Sequence, residues 1–205
     1  MAALALNLLG ELEVVRDGRP LPLPPSKKTR ALLAYLALNP RSFRRETLCE
    51  LLWEIPDDPR GSWRWSLSKL RRLVDDGDRA RIVADRSSVA LDTTGMDIDV
   101  LTLRSLAGAD QEALTVDELE SASALYRGNF LEGLELSSFH DFHAWCIAER
   151  ENAVRDQTAI LHHLVSHLAD QPERALPHAR SLVLLAPYDE AARADLIRLL
   201  MHLHH

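Results

Sequence analysis

The chain has 205 residues, 46% of them apolar and 27% charged, and a formal net charge of −7. That is apolar material for one large core or two small ones, and the usual domain size favours two. The negative sum excludes a uniformly basic nucleic-acid binder, but the charge is unevenly spread: residues 1–99 hold sixteen Lys and Arg against fifteen Asp and Glu, and the remainder eight against sixteen. In chain order, "ALNLLGELEVV", the turn "RDGRP" and "LPLPP" suit strands, with Asp17-Gly18 as a hairpin signal. Ser26 caps "KKTRALLAYLALNP", a short apolar helix ended by Asn39-Pro40. "RSFRRETLCELLWEIP" gives a second amphipathic helix closed before Pro56.

The loop "PDDPRGS" leads to "WRWSLSKLRRLVDDGD". At about 100° per residue, Trp63, Leu67, Leu70, Leu73 and Val74 form an apolar stripe. The opposite side carries Arg64, Trp65, Ser68, Lys69 and Arg72, with Arg71 at the margin and no acid before Asp75. Gly77 is the expected stop, leaving Asp75 and Asp76 in the last turn, where the helix dipole disfavours anions. An outward face so unbalanced repels itself unless an anion lies against it. "ARIVADRSSVALD" then reads as two strands, Arg81 to Ala84 and Val89 to Asp92, joined by Asp85, Arg86, Ser87 and Ser88. Strands, three helices and a hairpin are the order of a winged helix-turn-helix domain.

"TTGMD", residues 93–97, reads as a linker, after which the pattern is helical only. The last two helices, "PERALPHARSLVLLAP" and "YDEAARADLIRLLMHLHH", pair like a tetratricopeptide unit of about 34 residues. The expected fold is therefore mainly α with small β elements: a winged helix-turn-helix domain over 1–95, then an all-helical, tetratricopeptide-like domain over 98–205. Ending within such a repeat leaves an apolar helix face in need of a capping partner or of more chain.

Several chemistries find little support. Cys49 and Cys146 have no metal-ligand or CxxC spacing and sit among apolar residues, as in a reduced, cytoplasmic protein. His162, His163 and His167 lack an HExxH pattern and a placed carboxylate, so no metal and no cofactor are expected. There is no GxSxG and no GxxxxGK[ST] loop, which makes an enzyme the poorest reading.

On the stretches "LLGELEVVRDGRPLPLPPSKKTRALLAYLALNP", "RETLCELLW", "WRWSLSKLRRLV", "ALYRGNFLEGL" and "FHAWCIAER", the chain resembles the Streptomyces antibiotic regulatory protein type. In that type an OmpR-type winged helix is fused to a bacterial transcriptional activation domain. The resemblance implies a cytoplasmic regulator that binds repeated promoter sites as a homodimer and contacts RNA polymerase. "SLSKLRRLV" is then the recognition helix, and the loop with Asp57, Asp58 and Arg60 the segment facing polymerase. The chain departs from the type at the wing tip "DRSSVA", which lacks a Gly-Tyr turn, and at Trp63 and Trp65, where aliphatic residues are usual.

The candidate DNA contacts are Arg64, Lys69 and Arg72 on phosphates or guanine edges, Ser68 near the groove floor, and Arg71 beside them. Trp65 packs on a sugar, a thymine methyl or a protein. Arg41, Arg44 and Arg45 lie where a helix start favours phosphate; Lys27, Lys28 and Arg30 open the first helix, and Arg86 sits at the wing tip. Two other readings stay open. One is an interaction adaptor that has lost DNA binding, the other the regulatory head of a larger ATP-dependent signalling protein.

Overall fold

A computed structural model describes residues 4–53, 59–77, 79–110 and 113–203, with the side chains of 59 and 60 excepted. The first sheet has the order β3 (Arg19–Pro20), β2 (Glu13–Arg16), β1 (Leu4–Asn7), β7 (Met96–Ile98). β1 (Leu4–Asn7) and β2 (Glu13–Arg16) are antiparallel, with Leu4 opposite Arg16 and Leu6 opposite Val14. Leu4, Leu6 and Val14 are buried, as the period of two requires. β3 (Arg19–Pro20) follows a two-residue turn in which Asp17 and Gly18 both have positive φ, 50° and 75°. That is the twist-matched hairpin turn, and a glycine at its second position avoids a Cβ clash with the backbone.

Three expectations need correction here. "ALNLLGELEVV" is two strands rather than one, broken at Gly10 (φ 109°), where Leu131 and Glu132 donate to the carbonyls of Leu8 and Gly10. "LPLPP" is not a strand: Pro22, Pro24 and Pro25 have no N–H for a ladder. "TTGMD" is not simply a linker, because β7 (Met96–Ile98) pairs in parallel with β1, Leu6 opposite Ile98.

The winged helix-turn-helix is built from α1 (Lys27–Leu38), α2 (Arg45–Leu52), α3 (Pro59–Val74) and the hairpin β5 (Ile82–Ala84) and β6 (Ser88–Leu91). Ser26 Oγ accepts from the Thr29 N–H, and Asn39 ends α1, its side chain donating to the Tyr35 carbonyl at 2.8 Å. α2 stops at Leu52, short of Pro56. All five residues of the apolar stripe of α3 are buried, Trp63 against Trp53 edge to face at 5.6 Å. Ser66 joins them, an addition to the expected stripe; its hydroxyl pairs with that of Thr29 at 2.9 Å in the α1–α3 contact.

That pair sets a test. Ser66→Ala leaves the Thr29 hydroxyl buried without its partner and should cost about 1–2 kcal/mol, whereas Thr29→Val with Ser66→Ala removes both groups and should recover most of the loss. Urea unfolding midpoints of the two variants check it.

α3 ends at Val74, earlier than Gly77, and Asp75 and Asp76 follow directly at its negative end, the Asp75 N–H still bonded to the Arg71 carbonyl. Arg16 supplies the positive charge there, donating to the Leu73 and Asp75 carbonyls at 2.9 and 3.1 Å. Asp75 turns to the wing and accepts from the N–H groups of Arg81 and Ile82. Asp76 lies 3.5 Å from both Arg16 and the buried Arg81.

The remaining elements are α4 (Asp99–Ala107), α5 (Val116–Ala124), α6 (His140–His167), α7 (Pro172–Leu185) and α8 (Glu190–Leu203). Thr115 and Glu118 form a reciprocal capping box on α5. Leu161 of α6, Leu182 of α7 and Ala192 of α8 form a small core that joins the expected pair of last helices to α6. Two compact units emerge, Met1–Asp99 with Phe130–Glu149, and Val100–Asn129 with Arg150–His205. Phe130–Glu149 packs with the first unit, where Phe130, Phe142 and Tyr35 all surround Trp145, at 5.0–5.5 Å between ring centroids.

Candidate nucleic-acid interface

The exposed side of α3 divides into two neighbouring stripes. Arg64, Ser68 and Arg71 recur at spacings of four and three, as do Trp65, Lys69 and Arg72, and the helical period places the stripes about 100° apart. All six are exposed except Lys69, which is half-buried because its ammonium lies over the Trp65 ring, 5.3 Å from the centroid. Trp65 keeps 43% of its surface open to solvent. Along α3, no acidic residue interrupts these stripes.

The α2 start and the wing are joined through β4 (Phe43–Arg44), which pairs with β6, Arg44 opposite Ser88. Arg44 is exposed as the N-cap residue of α2. Arg45 donates its N–H to the Ser87 carbonyl at 2.9 Å and its guanidinium to the Asp85 carbonyl. The wing turn is ordered by Asp85 rather than by a Gly-Tyr pair. Its carboxylate accepts from the N–H and hydroxyl groups of both Ser87 and Ser88. The two N–H groups contribute most, and together the four donors hold Asp85 well below the usual carboxylate range. That local order persists down through the ordinary carboxylate pKa and is lost only as pH falls through the lowered value. Arg86 projects, exposed, from this turn.

These elements enclose a groove of about 590 Å³ lined by Arg45, Glu46, Cys49, Trp63, Arg64, Arg86 and Ser87. Three of the expected contact residues, from α2, α3 and the wing, therefore line one concavity. Cys49 corrects the expectation of a core cysteine: it lines this groove half-buried, and burial pushes its thiol pKa up although Arg45 opposes the shift. On the other flank of α3, Lys69 and Arg72 line a notch with residues Leu21 to Pro25.

Other cations are occupied elsewhere. Lys27 donates to the Gly133 carbonyl at 3.3 Å and Lys28 lies over the Phe139 ring. Arg30 donates to the Pro25 carbonyl, and Arg41 stacks on Phe43. The lysines at the start of α1 thus have partners of their own. Asp57 and Asp58 lie outside the described residues, and Arg60 is described only as backbone of α3. His162 is placed against Asp189, Nε2 to Oδ2 at 2.7 Å, a carboxylate partner not expected from the sequence. Sequence reasoning also missed Ser66 and Asp85. Ser66 falls on the buried side by spacing alone, and an Asp followed at two and three residues by serines is an Asx-turn signal.

A three-helix group with a β-hairpin wing, joined to a tetratricopeptide-like helical region, is the fold of a winged helix-turn-helix regulator. Residues 91–204, more than half of the chain, match the bacterial transcriptional activator domain. The chain belongs to that family of transcriptional activators. Among solved structures it is similar to Mycobacterium tuberculosis EmbR in complex with a low-affinity phosphopeptide, with a TM-score of 0.59 and 22% identity. That match covers 98% of this chain and 66% of the EmbR chain, so this chain spans just under two thirds of EmbR's length. At this identity the likeness shows the fold alone. No curated protein matches the chain. Among the described residues, no helix is long and apolar enough to cross a membrane.

Proposed function

We propose that the chain is a DNA-binding transcription regulator of the Streptomyces antibiotic regulatory protein type, with an OmpR-type winged helix over 1–95 and an activation domain over 98–205. α3 enters the major groove of promoter DNA, and the α2 start and wing hold phosphates. The single observation that carries this reading is the acid-free outward face of α3, bordered by Arg45 and Arg86. A duplex supplies the anion such a face needs. Ser68 and Arg72 are the base-reading candidates, Lys69 and Arg71 flank them, and Arg44 meets backbone outside the groove. The protein acts as a cytoplasmic homodimer on repeated sites, and contacts RNA polymerase through the segment with Asp57, Asp58 and Arg60. It is a regulator without catalytic chemistry of its own.

Selection of bound duplexes from a random pool tests this. Enrichment of two copies of a short motif, centres about 10–11 base pairs apart or a multiple of that, is the expected result. No enrichment at low salt would sink the reading. The exposed Trp65 and the apolar side chains of Leu184, Tyr188, Ile197 and Met201 favour a second reading, an interaction adaptor. An adaptor shows no saturable change in tryptophan fluorescence with any duplex.

A further inference from the structure

The groove between α2, α3 and the wing differs from the rest of the basic surface in its donor balance. Arg45, Arg64 and Arg86 bring guanidinium groups to it from three separate elements, against one carboxylate, Glu46. Two further donors in its lining residues are short of acceptors. The Trp63 indole N–H and the Arg45 Nε–H are out of solvent contact, and neither has a hydrogen-bond partner among the described residues. Trp63 is 3% exposed. These two buried donors belong to the groove wall, while the charge offered to an occupant comes from the three guanidinium groups.

The arginines are also held apart by their own elements. Arg45 is fixed by its bond to the Asp85 carbonyl, and Arg86 sits on the turn ordered by Asp85. Arg64 lies on the α3 stripe that flanks this groove, one position after Trp63. A group bridging the three ties the helix-turn-helix to the wing.

We infer that this groove is a seat for one phosphate group, held jointly by Arg45, Arg64 and Arg86. The inference rests on the proposed DNA binding and deepens it: the occupant is a backbone phosphate, and Arg64 is a register-setting backbone contact, not a reader of bases. Planar guanidinium forks suit phosphate oxygens, and three of them on one group give direction as well as charge. Helix position alone leaves Arg64, like Lys69 and Arg72, on either phosphates or guanine edges.

The test uses the whole chain, a selected duplex and a scrambled duplex of equal length. Arg64→Ala and Arg86→Ala should each weaken both duplexes by the same factor, and each should make the salt slope about one less steep. Cys49 gives a readout of occupancy, since its thiol lines the same groove while Cys146 is buried. Saturating duplex should slow alkylation of Cys49 by a small maleimide severalfold, and Arg64→Ala should raise the duplex concentration needed for that protection by the factor it loses in affinity. Protection by inorganic pyrophosphate in a protein that binds no duplex keeps the seat and gives it to a free phosphate, while removing the DNA reading. If duplex binds but Arg64→Ala loses affinity only for the selected sequence, or Cys49 reacts as fast in the complex as in the free protein, the phosphate seat is wrong and DNA binding stands.

Discussion

Asp99→Ala is expected to lower the unfolding free energy by about 3 kcal/mol, the largest effect of any single substitution considered for stability. The Asp99 side chain is 5% exposed and receives the Leu8 N–H at 2.8 and 2.9 Å and the Leu9 N–H at 2.9 Å. Those amides lie just beyond β1, where the chain leaves the β1–β2 ladder and meets Phe130 only in an isolated bridge. Asp99 is also in the first turn of α4, where a negative charge meets the positive end of the helix dipole. Alanine therefore leaves two buried donors unsatisfied and removes a favourable charge, each loss on the order of 1–2 kcal/mol. Asparagine keeps one acceptor oxygen and should lose about half as much. The midpoint of urea unfolding should fall with an unchanged slope, which distinguishes lost stability from an altered unfolded state. A midpoint within experimental error of the parent would show that these bonds are replaced by water at no cost.

Arg72→Ala is expected to have the largest effect on recognition. Arg72 is exposed in the last turn of α3, on the stripe of Trp65 and Lys69, and Arg16 engages the Asp75 carbonyl and the Asp76 carboxylate just beyond that turn. No carboxylate on α3 competes for its guanidinium. If it reads a guanine edge, its removal costs about 1–3 kcal/mol on the selected sequence, roughly fivefold to more than a hundredfold in affinity, and relaxes the preference at one base position. Binding to a scrambled duplex should change much less. Equal losses on both would move Arg72 to the backbone, where the inferred phosphate seat puts Arg64. The two arginines thus make opposite predictions under the same assay, although both were exposed basic positions in the sequence.

Much of this arrangement was legible before any coordinates, because one physical pattern dominates each part. The spacing of Trp63, Leu67, Leu70, Leu73 and Val74 decides which side of α3 is buried, and all five are. Asp17-Gly18 needs positive φ at both positions and has it. What was not legible depends on partners distant in sequence. Nothing in "TTGMD" says that Met96–Ile98 will find β1, about ninety residues earlier, since three residues carry too little alternation to signal a strand. The same holds for Phe130–Glu149. Its aromatic residues look like one more helical core segment, and only the contacts with Tyr35 and the β1 end show which unit they complete. At the interface the outward residues were readable one by one, yet the convergence of Arg45, Arg64 and Arg86 on one groove was not. It depends on the β4–β6 pairing, which is two residues long. Cys49 follows the same logic: Leu48, Leu51 and Leu52 around it suggest a core position, while the fold sets it beside arginines.

If the proposed DNA binding holds, the outward face of α3 and its borders are cationic because they lie on a polyanion. The direct measurement is the affinity for a selected duplex, titrated from low to moderate salt. With about five cations engaged on phosphates, the logarithm of the association constant should fall linearly with the logarithm of salt concentration, at a slope of about −4 to −5. A slope near zero, or no saturable binding at the lowest salt, contradicts the account.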